Sequence, residues 1–150
     1  AGRLPPLRGP LNGMASFSLT GTGVDRRWLA AAAFYVAIVF FLSSRPHLRA
    51  FGPEFDMKDN LAHGLEYAVL AVLLFRALGP VMWPDAVMTF LLVVVVVASI
   101  GAADEMLQGM VPGRRRDIVD WVSDTTGAAV AAAACVGLAR RARVTPEGAR

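Results

Sequence analysis

Cysteine and lysine are almost missing from this chain of 150 residues, which has one of each, Cys135 and Lys58. A single cysteine excludes an intrachain disulfide and a cysteine metal cluster. Cys135 lies in an Ala-rich apolar run and reads as a small packing residue. Charge is scarce as well. Charged residues are 18% and apolar residues 55%, against roughly 25% and 45–50% in soluble domains. The mean hydropathy is +0.50. That balance excludes disorder across the middle of the chain, and it excludes a hydrophilic enzyme core. No solenoid-type repeat is present.

The net charge is +3, and fourteen of the fifteen basic residues are Arg. A basic chain can be a nucleic-acid binder. Here the Arg residues stand at the edges of apolar blocks, which is the pattern of membrane anchoring, so no nucleic-acid partner is expected. The apolar residues fall into four blocks. The first runs from Trp28 to Leu42 and closes at Ser43-Ser44-Arg45-Pro46. The second starts near Asp59 and ends at Gly79-Pro80. The third begins at Pro84, a favourable first helical position. Its stretch from Ala86 to Ala103 holds eighteen residues without a charge, and about 18 suffice for a membrane span. The fourth runs from near Asp117 to Ala139, with a Gly/Ala-rich half that suits close helix packing in lipid.

These blocks predict an all-α fold, a four-helix transmembrane bundle with helices near 27–44, 59–78, 84–104 and 117–140. A polar, Pro- and Gly-containing N-terminal tail over residues 1–27 reads as irregular. The transmembrane domain spans 28–140, and a C-terminal tail covers 141–150. The N-terminal tail, the second loop and the C-terminal tail carry nine basic residues, and the first and third loops carry six. The positive-inside rule then puts both termini in the cytoplasm.

This topology gathers the polar residues at one membrane face. Asp59, His63 and Tyr67 recur every fourth residue and form one stripe on the second helix. Asp104, Glu105 and Gln108 close the third. Asp117, Asp120 and Asp124 share a face of the fourth. Glu66 and Asp124 each lie seven residues beyond the Asp that opens their helix, roughly 10 Å further along the axis. A charge in hydrocarbon costs on the order of 3 kcal/mol even by the mildest scale. These acids should therefore face the bundle interior or a wet cavity and be paired, with Arg114, Arg115, Arg116 and Arg45 as available cations. The eight-residue loop from Gly109 to Arg116 turns at Pro112-Gly113. It should bring Arg114 over Asp104, Glu105 and Asp120 in one ionic network, lined by His63 and Tyr67.

Taken in order, these residues resemble the VanZ-like membrane proteins. Ser43-Ser44-Arg45-Pro46 is similar to that family's Ser-Ser-x-Pro. His63-x-x-x-Tyr67-x-x-Leu70 is similar to its His-x-x-x-Tyr-x-x-Leu helix. Asp104-Glu105-x-x-Gln108, Pro112-Gly113-Arg114, Asp120 and Asp124-x-x-Gly127 resemble its Asp-Glu-x-x-Gln, Pro-Gly-Arg, Asp and Asn-x-x-Gly. The resemblance covers about residues 28–139. It implies a multi-pass protein of the bacterial cytoplasmic (inner) membrane, and it supplies no catalytic set. Three positions depart from the pattern. Asn60 stands where Lys is frequent, Asp124 where Asn is usual, and Asp117 where Ser is common.

Three functions compete. The first is binding of a membrane lipid or cell-envelope amphiphile at an extracytoplasmic polar site. That site would be built from Arg45, Asp59, His63, Glu66, Tyr67, Asp104, Glu105, Gln108, Arg114, Asp120 and Asp124, and the same residues also read as a structural salt-bridge network that closes the bundle at that end. The second is an enzyme acting on a lipid-linked substrate, with His63 as the best catalytic candidate, a general base. The third is an accessory subunit of a larger membrane complex, docked to other subunits through its tails. No cofactor or metal is expected, and His47 reads as a surface residue. The topology has a direct test. A cysteine placed at position 55 is expected to react with impermeant thiol reagents from outside the cell alone. Labelling from the cytoplasm reverses the orientation.

Overall fold

A computed structural model describes residues 23–45, 58–82 and 85–144. They form four helices: α1 (Arg26–Ser43), α2 (Lys58–Met82), α3 (Ala86–Gln108) and α4 (Ile118–Val144). There is no strand among the described residues. All four helices are long and apolar enough to cross a membrane, so the chain has the architecture of a multi-pass membrane protein. The expected tails fall mostly in residues 1–22 and 145–150, outside the described residues.

Short acidic caps start three of the helices. Asp25 accepts from the Arg27 N–H at 3.0 Å ahead of α1. Asp85 accepts from Val87 and Met88 at 3.1 and 2.9 Å ahead of α3. Asp117 accepts from Val119 at 2.8 Å ahead of α4. Each satisfies backbone donors that the first turn leaves without a partner. The run from Val93 to Val97 stays helical although Val favours strands. In an apolar solvent a segment must satisfy its own backbone, and a helix alone does so without a neighbour.

The element bounds differ from the sequence reading in physically instructive ways. Helix α2 does not stop at Gly79-Pro80 but continues to Met82. Hydrocarbon offers no competing water, so Gly and Pro break membrane helices less sharply. Helix α3 begins at Ala86 rather than Pro84, because Asp85 is its cap. It also runs past the apolar block to Gln108. Its last turns are polar in sequence but find partners within the bundle.

Helices α2 and α4 make the most extensive contact. Tyr67, Leu70, Ala71 and Leu74 of α2 are buried with Val93 and Val97 of α3 and Ala128 and Ala132 of α4. Ala32 and Val39 bring α1 into the same core. Polar ties add to the packing. The Asp25 N–H donates to the Ala77 carbonyl at 2.9 Å. The Tyr35 hydroxyl donates to the Glu66 carbonyl at 3.2 Å. The Trp121 indole donates to the Ala98 carbonyl at 2.9 Å. Near the end of the bundle that holds Asp25, the Arg76 guanidinium lies 4.7 Å from the Trp28 ring centroid. The outward faces are apolar too, with Phe34, Leu65, Val95, Val130 and Leu138 all exposed. Helices apolar on every side suit lipid rather than water.

The approach of α2 to α4 is set by two glycines. A Cβ on Gly127 would collide with the backbone carbonyl of Gly64. A Cβ on Gly64 would meet the Ser123 carbonyl oxygen at 3.2 Å, tight but within reach of a small shift. Gly137 has nothing within 4 Å of such an atom. The expected order of damage is therefore Gly127→Ala first, at about 3 kcal/mol by overpacking, then Gly64→Ala. Gly137→Ala should be neutral or stabilising, since Ala is the better helix former by about 1 kcal/mol. Thermal melting in detergent checks the ranking. A Gly127→Ala protein that melts with the wild type rejects the close approach.

Candidate functional site

At one end of the bundle the last turn of α1, the first turns of α2 and α4 and the last turns of α3 converge. Each element contributes polar side chains there because each crosses out of its apolar stretch at that level. Asp104 of α3 is the hub and is only 1% exposed. Its Oδ2 accepts from the Ser43 hydroxyl at 2.9 Å and from the Gln108 Nε2 at 3.0 Å. The Gln108 Oε1 in turn accepts from the Arg114 Nη1 at 2.9 Å. An amide suits that middle position, since it donates to the carboxylate and accepts from the guanidinium. The adjacent Glu105 closes the helix differently. Its Oε2 accepts from the Asp117 backbone N–H at 2.7 Å, which pins the loop to the start of α4.

A second group joins α2 to α4. The Asn60 Nδ2 donates to Asp120 Oδ1 at 3.3 Å. The His63 Nδ1 stands 3.2 Å from Asp124 Oδ1, and its Nε2 stands 3.9 Å from Asp120 Oδ2. Both ring nitrogens of His63 thus face carboxylates. The contact depends on the glycine pair, because Gly64 and Gly127 neighbour these side chains in sequence and draw the two backbones together.

Four buried oxygen atoms in this region have no hydrogen-bond partner. They are the Tyr67 hydroxyl, Asp104 Oδ1, Glu105 Oε1 and Asp124 Oδ2. The Tyr67 hydroxyl lies beside Asp104 but outside hydrogen-bond geometry, and it is also within electrostatic reach of Asp124 and Glu66. Asp124 Oδ2 points at Gly101 of α3, where an added Cβ would approach it to 3.2 Å. Burying a polar atom without a partner costs about 1–3 kcal/mol, so four of them in one place is a concentration of unmet polar capacity, three of them carboxylate acceptors and one a hydroxyl. Among the described residues, no three His, Cys, Asp or Glu side chains are disposed to hold a metal ion.

Of the residues singled out from sequence, the fold brings His63, Asp120 and Asp124 together, and likewise Asp104, Gln108 and Arg114. Tyr67 and Glu66 stand within electrostatic reach of Asp104 and Asp124. Arg114 meets Asp104 through Gln108 and acts on Asp120 across space. Glu105 spends one oxygen on the loop backbone. Two residues stand apart. Arg45 is exposed, with its guanidinium 4.2 Å from the Phe41 ring centroid. Asp59 is exposed at the edge and is felt only electrostatically by Asp120. Sequence reasoning left out Ser43 and Asn60 as members of the site. Ser43 was visible as part of the Ser-Ser-Arg-Pro run, but nothing in the sequence says that its hydroxyl points at α3.

Arg114→Ala removes the donor on Gln108 Oε1 and loosens the amide that holds Asp104. Arg114 is half-buried, so the cost should be that of a charge-assisted bond, about 1.5–3 kcal/mol. Lysine at 114 should recover part of it. The melting temperature and the yield of folded protein in detergent read the loss. An unchanged melting temperature for Arg114→Ala excludes the relay from Arg114 to Asp104.

Comparison with known proteins gives one match. Residues 28–140 match the VanZ/LLP1 family. No curated protein and no solved structure matches the chain. The motifs at Ser43, His63 to Leu70, Asp104 to Gln108, Arg114, Asp120 and Asp124 to Gly127 all fall within the matched segment, and the fold is one of four membrane-length helices. The chain belongs to the VanZ/LLP1 family.

Proposed function

We propose that the polar end of the bundle binds the head group of an amphiphile, a lipid or a cell-envelope precursor, at the extracytoplasmic face of the bacterial cytoplasmic membrane. One observation carries this reading: the four buried oxygens of Tyr67, Asp104, Glu105 and Asp124 that lack partners. A purely structural knot would close on itself and leave few unmet acceptors. A site that waits for a ligand keeps them for the ligand. The surroundings fit an amphiphile, because apolar, outward-facing helix surfaces lead to the polar end. A tail can lie along those surfaces while its head group enters between α2, α3 and α4.

Binding is favoured over catalysis by the disposition of His63. A general base needs a ring nitrogen aimed at the proton it removes. Here Asp124 holds Nδ1 at 3.2 Å and the Asp120 carboxylate stands 3.9 Å from Nε2, so the imidazole serves as a tie between α2 and α4.

The expected result is an amphiphile that copurifies with the wild-type protein in gentle detergent and is seen as a stoichiometric adduct by native mass spectrometry. Asp104→Asn keeps the shape of the side chain but replaces one acceptor with a donor. It should lose most of that adduct while the melting temperature falls only modestly. Equal occupancy in wild type and Asp104→Asn would reject the site as the place of binding.

A further inference from the structure

The unmet atoms also say what kind of group fits. All four are oxygens, and three belong to carboxylates. An ionised carboxylate accepts and never donates. Phosphate, sulfate and carboxylate head groups bring acceptors of their own, so they would add like charge and leave the three carboxylate oxygens unmet, with the Tyr67 O–H alone able to donate to them. An ammonium brings three N–H donors and one positive charge, and it has no acceptor to satisfy.

The charge surrounding the four oxygens points the same way. Glu66, Asp104, Glu105, Asp120 and Asp124 act on one another electrostatically in this end of the bundle. On the cationic side stand Arg114, which donates to Gln108, and His63, which faces Asp120 and Asp124. Acidic side chains outnumber basic ones here, and the deepest of them are buried. Tyr67, Asp104 and Asp124 are at most 1% exposed. His63 and Asp120 are more open, with side chains 17% and 21% exposed, and form the edge of the site. Cations bound at that depth gain far more from Coulomb attraction than they would in water.

We infer that the group held by Tyr67, Asp104 and Asp124 is an ammonium, so that the site selects amphiphiles with an amine-bearing head group over those that present only an anion. This rests on the amphiphile-binding reading and narrows it. The deep position goes to the amine, with Asp104 Oδ1 and Asp124 Oδ2 accepting from it and the Tyr67 oxygen completing the set. Arg114 lies nearer the edge. An anionic part of a zwitterionic head group, where present, would lie towards it.

The test compares two single-chain probes of equal length, dodecylamine and dodecyl phosphate, added to the purified full chain in dodecyl maltoside. Melting temperature is read against probe concentration. Dodecylamine should raise it saturably, and Asp104→Asn should weaken that response about tenfold in concentration. Dodecyl phosphate should give no saturable rise. Should Asp104→Asn yield no folded protein, Tyr67→Phe carries the comparison, since it removes one oxygen from the set and keeps the ring. A dodecylamine response identical in wild type and variant overturns the inference. A saturable dodecyl phosphate response that the variant loses overturns the ammonium and leaves the amphiphile reading in place. No saturable response to either probe, with no copurifying amphiphile, overturns both.

Discussion

The cost of a carboxylate in an apolar bundle governs this structure. Asp104 and Asp124 are fully enclosed and Glu105 nearly so, in helices whose remaining surfaces suit lipid. Such a group cannot be left to itself, since isolated charges in hydrocarbon are expensive. The chain answers with partners from every neighbouring element. Ser43 comes from α1, His63 from α2, Gln108 from α3 itself, and the Asp117 backbone N–H from the start of α4. The polar network therefore ties all four helices at one end. At the other end the ties include an Asp25 backbone bond and a cation over an aromatic ring.

That network is tenable only because α2 and α4 approach so closely. Hydrophobic burial does not drive helices together in lipid, where the tails are as apolar as leucine. Packing of small residues does. The carbonyl of Gly64 occupies the space that a side chain at 127 would need. One residue before Gly64 is His63, and three before Gly127 is Asp124, so the backbone contact places the imidazole against the carboxylate. Separation of these helices by a methyl group would stretch that bond before it disturbed the apolar core below.

Much of the fold was legible because its signal is additive. Apolar residues summed over eighteen or more positions declare a span regardless of detail. The bounds were less legible where polarity and helix propensity disagreed. Asp104, Glu105 and Gln108 look like the exit from the membrane, yet they continue α3 because their partners come from Ser43, Arg114 and Asp117. Those partners are distant in sequence, and no local rule reports them. The stripe of Asp59, His63 and Tyr67 was visible as a spacing. Its members nevertheless separate: Tyr67 enters the core, His63 meets α4, and Asp59 stays exposed. A four-residue spacing advances about 400° around a helix rather than a full turn, so a stripe drifts across the surface and its ends face different neighbours. Arg45 stands apart from the other polar side chains for a related reason. It follows the end of α1 and finds the Phe41 ring on its own helix before it finds an acid elsewhere.

Two of the departures from the family pattern fall inside this network and act in one direction. Position 60 holds Asn in place of the frequent Lys, and position 124 holds Asp in place of the usual Asn. Asn60 still donates to Asp120, as an ammonium would, but it brings no charge. Asp124 keeps the acceptor that meets His63 and replaces an amide donor with a second acceptor. That second acceptor is the Oδ2 that stands without a partner beside Gly101. An Asn there could have donated towards Asp104 and closed the network internally. With Asp124 the position offers a second acceptor, and of the four unmet atoms the Tyr67 hydroxyl is the one that can also donate. On the ammonium reading, the acidic residue at 124 supplies one of the acceptors that a bound cation would meet.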